Sequence, residues 1–325
     1  MRTSPGLVAL SFAGVNIHRR QLLTAVAGSL LGHLALPLRS AARQSNMTRP
    51  GVTPLNDRLS LVTSAGTNVL ALSTPDGLVV VDSGTPNLRD QLIDSLRQIS
   101  SGGRVRTVFN THWHQENTGA NELLRQNGAT IVAHVNTKLW MATPTWIPAE
   151  DRYRPPRPRD AHPNETFYVD GSMNAGSERI AYGYLIEAHT SGDIYVFIRD
   201  SNVLAVGDVA SPVRDPELDY FTGAWIGGRV DAMDRLLALS DGQTRIVPGY
   251  GPVMSRAQLQ AERDVMKTIY DRTVDRVRES DGPEDMLKAG VMTGLPRTWK
   301  DPQRFLYDLA KGLWAHHNKL APNVV

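Results

Sequence analysis

His112 and His114 stand one residue apart just beyond the apolar run Val105 to Phe109, and in an extended segment that spacing projects both side chains to the same side. Two imidazoles can therefore reach one ion. His189, past the β-like run ending Leu185-Ile186, offers a third nitrogen from a distant part of the chain. Three nitrogens with one position left for water are what a catalytic zinc requires. Asp82 after Leu78 to Val81, Asp208 after Val203 to Val206 and Tyr250 after Ile246-Val247-Pro248-Gly249 occupy the same place relative to their own runs. Loops at strand ends can converge over one edge of a sheet, the usual place for a ligand site in α/β folds. Each residue alone has a plainer reading: the His-x-His pair as surface or capping histidines, and the two aspartates as turn or cap residues bonding nearby amides.

Composition narrows the chemistry. The 325 residues are 41% hydrophobic and 21% charged, which excludes a mainly disordered chain. There is no cysteine, so disulfides, thiolate nucleophiles and thiolate ligands are all excluded, and a metal must be held by His, Asp or Glu. The first 42 residues carry four arginines, no lysine and no acid; without them the chain has 31 basic against 33 acidic residues. A near-neutral body with no dense basic run excludes an electrostatic footprint for nucleic acid. Arg19-Arg20 before the moderately apolar Leu22 to Leu38, with Ser40-Ala41-Ala42 behind it, resembles a twin-arginine export signal. Residues 1–42 are therefore expected to be removed, leaving a periplasmic or secreted chain with no stable membrane anchor; the apolar stretch falls short of the roughly 20 residues a spanning helix needs. Residues 43–58 are read as a linker or N-terminal arm.

The elements that must position the polar groups follow from periodicity. Asn68 to Ser73 and Leu78 to Val81 flank the turn tetrad Thr74-Pro75-Asp76-Gly77, which predicts a β-hairpin. Further strands are expected at Val105 to Phe109, Thr130 to Ala133, Ile180 to Ile186, Asp193 to Ile198, Val203 to Val206 and Arg245 to Val247. Helices are expected from Leu88 to Ile99, ended by Gly102-Gly103, and at Asn121 to Gln126, Val230 to Leu239 and Arg256 to Arg278. Such alternation implies sheets covered by helices. Residues 143–165, with six prolines, are expected to be a long loop without a regular element. Phe305, Leu306, Leu309 and Leu313 recur near helical spacing, so 281–325 reads as a helical extension packed on the sheets or forming a subunit contact.

Taken in order, Asp82-Ser83-Gly84, Thr111-His112-Trp113-His114-Gln115-Glu116-Asn117-Thr118-Gly119-Ala120-Asn121, His189-Thr190-Ser191-Gly192-Asp193, Gly207-Asp208 and Pro248-Gly249-Tyr250-Gly251-Pro252 resemble the metallo-β-lactamase superfamily across about residues 59–275, within a domain read as 59–280. The resemblance implies an αββα sandwich with a metal site at one edge of the two sheets. It implies His112, His114 and His189 as ligands of a first zinc, Asp208 as the carboxylate bridging two metals, and Asp82 as a residue that orients ligands by hydrogen bonding. Three positions depart from the family pattern: Glu116 and Asn117 stand in place of Asp and His, and Tyr250 in place of the final His. Asn is a poor transition-metal ligand and Tyr a rare one for zinc, so the second metal site is read as empty or weak.

The resulting expectation is an exported hydrolase of a small ester, lactone or amide, with one Zn²⁺ lowering the pKa of its water to about 7. Asp208 then serves as fourth ligand or as the base that orients the water, Glu116 is the competing base, and Tyr250 and Asn117 donate to an oxyanion. Two other classes stay open: a mononuclear Fe²⁺ oxidoreductase using His112, His189 and Asp208, similar to persulfide dioxygenases, and a metal- or ligand-binding relative without catalysis. Trp140, Trp146, Tyr153 and the segment Asp219 to Gly228 are read as an aromatic wall and flexible lip, with the glycines of that segment allowing backbone to approach a ligand. His134 reads as a satisfied structural histidine, and His162, His316 and His317 are given no role.

Overall fold

The computed structural model describes residues 51–100, 102–147 and 152–320, so the expected export signal at 1–42 lies outside the described residues. Its strands form two main sheets. The first has seven strands in the order β1 (Val52–Pro54), β2 (Leu59–Val62), β3 (Val69–Thr74), β4 (Gly77–Val81), β5 (Val105–Phe109), β6 (Thr130–His134) and β9 (Glu165–Phe167). The second has five, β10 (Asp170–Ala175), β11 (Glu178–Tyr184), β12 (Ile194–Ile198), β13 (Val203–Gly207) and β14 (Arg245–Pro248). The expected hairpin is present, with β3 and β4 antiparallel and Thr74 opposite Gly77. Strands β4, β5 and β6 run parallel, as do β13 and β14, so the C-terminal ends that carry Asp82, His112, Asp208 and Tyr250 lie on one side of their sheets.

Alternation along each strand explains the layering. Val79 and Val81 of β4 and Ile194, Val196 and Ile198 of β12 share a buried cluster between the sheets with Leu70, Leu72, Phe109 and Val203. The intervening Leu78 and Val80 turn outward onto α1 (Arg89–Ile99) and α3 (Asn121–Gln126) through Leu92, Leu96 and Leu124. Tyr195, Phe197, Leu204 and Val206 turn outward on the other side, onto α5 (Ile226–Leu239) and α6 (Arg256–Arg278). Strands buried on both faces read as continuous apolar runs, which is why they stand out in the sequence. The architecture is an αββα sandwich.

Residues 143–165 correct the expectation of a structureless loop. They hold a two-stranded hairpin, β7 (Thr145–Ile147) with β8 (Arg152–Arg154), a short 3-10 turn at Arg159–Ala161, and the start of β9. Three-residue strands are held by backbone pairing and carry too few side chains to show a period. Between β5 and β9, two short helices at α2 (Gln115–Thr118) and α4 (Val135–Ala142) flank the site loop and β6. Gly227 and Gly228 also depart from expectation. They sit buried inside α5, where a Cβ on Gly228 would come within 2.4 Å of Glu187 O, so they allow close helix packing rather than approach to a ligand.

The C-terminal residues form α7 (Pro283–Lys288) and α8 (Pro302–Leu320). Phe305, Leu306, Leu309 and Leu313 enter the same buried cluster as Met233, Leu236, Met266 and Ile269 of α5 and α6. Helix α8 is thus part of the sandwich's outer layer. No helix among the described residues is long and apolar enough to cross a membrane. Leu309 is 0% exposed, so Leu309→Ala should cost about 2–5 kcal/mol in urea unfolding of the full chain, whereas a helix merely resting on the surface would lose little.

Candidate metal centre

The three histidines meet. Ring centroids of His112, His114 and His189 lie 4.9, 4.7 and 4.8 Å apart pairwise, with planes at 85°, 86° and 85° to one another. Their donor atoms all fall within 4.8 Å, a spacing that can hold a metal ion. Two of the rings, His112 and His114, are oriented by side-chain hydrogen bonds, and His189 by the turn that carries it. Asp82 accepts from Thr111 N–H at 2.8 Å and from Thr111 Oγ1 at 2.8 Å, and the same hydroxyl lies 3.0 Å from His112 Nδ1. A hydroxyl has one proton to give; spending it on the carboxylate makes Oγ1 the acceptor of an Nδ1–H, which leaves a lone pair on His112 Nε2. That Nε2 is buried without a hydrogen-bond partner.

His114 is held from the other end, its Nε2 3.2 Å from Asp219 Oδ2, leaving Nδ1 for the centre. Asp219 also accepts from Trp113 Nε1 and Thr222 Oγ1, at 3.2 and 2.7 Å. His189 has Nδ1 3.5 Å from Asp193 Oδ1, an electrostatic contact without a hydrogen bond, and both of its ring nitrogens are buried and without a hydrogen-bond partner. Asp193 further accepts from the N–H groups of His189 and Thr190 at 2.7 and 2.6 Å, which fixes the turn carrying the ring. Orphaned buried imidazole nitrogens are costly, about 1–3 kcal/mol each, and their convergence is the chemistry of a three-nitrogen metal site.

Charge follows burial and these contacts. Burial and the neighbouring His189, His114 and Arg214 hold the His112 imidazole well below its ordinary range. Burial would also lower His114, but the hydrogen bond and charge of Asp219, with Glu217 and Asp208 behind, outweigh it and raise the group to about 9. Burial pushes the Asp82 carboxyl up to about 7 against the opposing hydrogen bonds from Thr111 and Asn117. Asp82 has φ of 64°, a left-handed conformation for a non-glycine residue, imposed where β4 ends under the site loop.

The remaining residues singled out in the sequence divide. Asn117 Nδ2 donates to Asp82 Oδ2 at 2.9 Å, so the side chain supports Asp82 where an oxyanion donor was expected. Asp208 reaches the cavity beside the histidines but stands outside the three-histidine group, its Oδ2 paired with Arg214. Glu116 and Tyr250 line that cavity, of about 650 Å³, together with Trp113, Trp146 and Asp219. Trp140 instead donates to Ser191 Oγ at 2.8 Å, and exposed Tyr153 lies against Trp146. His134 is structural, stacked on Tyr184 at 3.8 Å. Sequence reasoning missed Arg214, Arg154, and Arg304, Tyr307 and Asp308 of α8, all of which line the cavity; the spacing read in α8 was that of its buried residues. Asp193 and Asp219 lay within quoted segments but carried no signal of pairing with histidines.

Comparison with known proteins fits this geometry. The profile of the metallo-beta-lactamase superfamily matches residues 63–269. The chain belongs to that superfamily. Among curated superfamily relatives, a metallo-beta-lactamase type 2 of Bacillus cereus is 24% identical over 201 residues, covering 62% of this chain and 73% of the relative. A beta-lactamase-like protein 2 homolog of Caenorhabditis elegans is 21% identical, covering 64% and 67%. Among solved structures, a metallo-beta-lactamase from Pontibacter korlensis superposes with a TM-score of 0.54 at 20% identity, over 66% of this chain and 98% of that one. A stereoselective inverting sec-alkylsulfatase from Pseudomonas sp. gives 0.60 at 13% identity, over 84% of this chain and half of its own length (50%). At these identities the structural likenesses speak for the superfamily fold.

The raised His114 group gives a direct test. In chelator-treated protein its histidine NMR signal should titrate near 9, and Asp219→Asn should bring it to or below the ordinary 6.5. Because the folded value is raised, the pair's contribution to stability is present in full below about 6.5 and is lost as pH rises through about 9.

Proposed function

We propose that this chain is an exported metallo-hydrolase that uses a single zinc on His112, His114 and His189 to open a small ester, lactone or amide. The observation that carries the reading is the convergence of three imidazoles, two with orphaned buried nitrogens, beside a cavity of about 650 Å³. A divalent ion held there supplies Lewis acidity and a water acid enough to ionise near neutral pH. The chain's own groups do the rest. Tyr250 lines the cavity, and burial with the nearby Asp208 raises its pKa, so its hydroxyl stays protonated and donates to the oxygen that becomes negative at the scissile carbonyl. Glu116, exposed on the same wall with no ion pair among the described residues, is placed to take the proton from the attacking water and return it to the leaving group. Asn117 and Thr111 hold Asp82, and through Thr111 the orientation of His112.

The aromatic side chains Trp146, Tyr220, Phe221 and Tyr307 line the cavity and favour a substrate with an apolar portion beside the scissile bond. A lactam is one amide of this class, as the name of the Bacillus cereus relative indicates for that protein, and a sulfate ester is the bond named for the Pseudomonas relative. The iron reading on His112, His189 and Asp208 is weaker here, because Asp208 is engaged by Arg214 while His114 completes three nitrogens.

Elemental analysis of protein purified without added metal should give about one zinc per chain, lost together with hydrolysis in His112→Ala. Tyr250→Phe should retain the zinc and lower kcat by about 10²–10³. Loss of zinc in Tyr250→Phe, or an unchanged rate, would remove the oxyanion role.

A further inference from the structure

The loop that joins β13 to α5, residues 208–225, supplies much of the cavity wall through Asp208, Arg214, Glu217 and Asp219, yet it holds no strand and only a 3-10 turn at Tyr220–Thr222. It is tied to two of the three histidines. Asp219 Oδ2 lies 3.2 Å from His114 Nε2, and Asp219 N–H donates to His189 O at 3.0 Å. Its Arg214 side chain pairs with Asp208, the guanidinium carbon 3.5 Å from the centroid of the Tyr250 ring. A segment without regular backbone pairing must have its amides and carbonyls satisfied from elsewhere if it is to keep one shape.

Two sets of groups do this. On one side, Glu262 of α6 accepts from Ser211 N–H at 2.7 Å, and Arg229 of α5 donates to Asp208 O and Glu217 O, each at 2.8 Å. The second set comes from the C-terminal segment between α7 and α8, beyond the part of the chain that matches the superfamily profile. Arg297 Nη2 donates to Ser211 O at 2.7 Å and also to Arg214 O, so the two hydrogens of one terminal nitrogen are divided between two carbonyls of the loop. The Arg297 side chain is 14% exposed, with Glu262 Oε1 3.8 Å from its Nη1. Asp215 of the loop reaches back, accepting from Lys300 N–H at 2.9 Å and Asp301 N–H at 2.7 Å just ahead of α8. The clamp is reciprocal: a C-terminal side chain on loop carbonyls, and a loop side chain on C-terminal amides.

We propose that Arg297 is a positioning residue of the metal centre: by holding Ser211 O and Arg214 O it keeps the loop in the shape in which Asp219 orients His114. The C-terminal segment thus governs how tightly the ion is bound without touching it. The inference rests on the metallo-hydrolase reading above, since it needs a zinc ion on the three histidines.

Zinc affinity of the full chain, measured by competition with a chromophoric chelator, tests it. Groups that orient metal ligands by hydrogen bonding are worth roughly ten- to a hundredfold in affinity, and Arg297→Gln should cost about tenfold. Asp215→Asn breaks the same clamp from the loop side, should lower the affinity in the same direction, and carries the test if Arg297→Gln does not fold. Arg272 supplies the control. It donates to Val291 O and Thr293 O, both at 2.9 Å, ahead of Arg297 in the same segment. Arg272→Gln therefore loosens the segment with the clamp in place, and should bind zinc as the wild type does. In an Asp219→Asn background Arg297→Gln should cost little more, because the loop acts on His114 through that carboxylate. An unchanged affinity in Arg297→Gln, an equal loss in Arg272→Gln, or a loss that simply adds to that of Asp219→Asn overturns the inference. A wild-type chain that takes up no zinc overturns the metallo-hydrolase reading on which it rests.

Discussion

The constraint on which the rest depends is that three imidazole rings are brought together, with buried nitrogens of two of them, His112 and His189, left without a protein partner. A buried ring nitrogen gives up its water, and His112 and His114 are fixed by a hydrogen bond at the opposite edge of the ring. Asp82 acts on His112 through Thr111, Asp219 on His114 directly, and Asp193 lies against His189. Of these three carboxylates only Asp193 is local to the ring it orients, four residues along the same turn. The fold supplies the convergence by ending β4, β5 and β13 on the same side and by joining the sheets near the site, where Ile194 N–H donates to Thr111 O at 2.8 Å.

Much of this was legible in the sequence because the signals are local. A strand buried on both faces shows as an unbroken apolar run, and the polar residue after it shows as its end; Leu78 to Val81 before Asp82 and Val203 to Val206 before Asp208 are of this kind. The 23-residue helix Arg256–Arg278 was legible from its periodicity, and the structure adds a Ser255 cap that closes its first turn. What was not legible depends on pairs distant in sequence. Asp219 is 105 residues from His114, and nothing local to either marks the contact. The strands within 143–165 are defined by register, and β10 is an edge strand whose exposed Asp170, Ser172 and Asn174 alternate with Gly171 and Met173, leaving one large apolar side chain to mark it. Arg214 looks like any surface arginine until Asp208 and Tyr250 are placed around it.

The acidic loop after β13 shows how a costly arrangement can be held. Arg229 is fully buried, and desolvation lowers its pKa to about 10 despite Glu262 nearby. Removing one member of such a group would leave an uncompensated buried charge, which is why networks of this kind persist where a loop must keep one geometry. Here the loop carries Asp208, Arg214, Glu217 and Asp219, four of the charged residues that line the cavity. The helix α8 closes the same wall with Tyr307, 6.2 Å from Tyr220 between ring centroids, so the C-terminal region shapes the cavity as well as covering the sheet.

The central claim is that three imidazole nitrogens, and no carboxylate from Asp208, form the protein's share of the metal's coordination shell. X-ray absorption at the zinc edge of the loaded chain measures this directly. Three imidazole ligands at about 2.0–2.1 Å with one oxygen ligand from water, unchanged in Asp208→Asn, is the expected result. Fewer imidazoles, or a shell that loses an oxygen neighbour in Asp208→Asn, would contradict it.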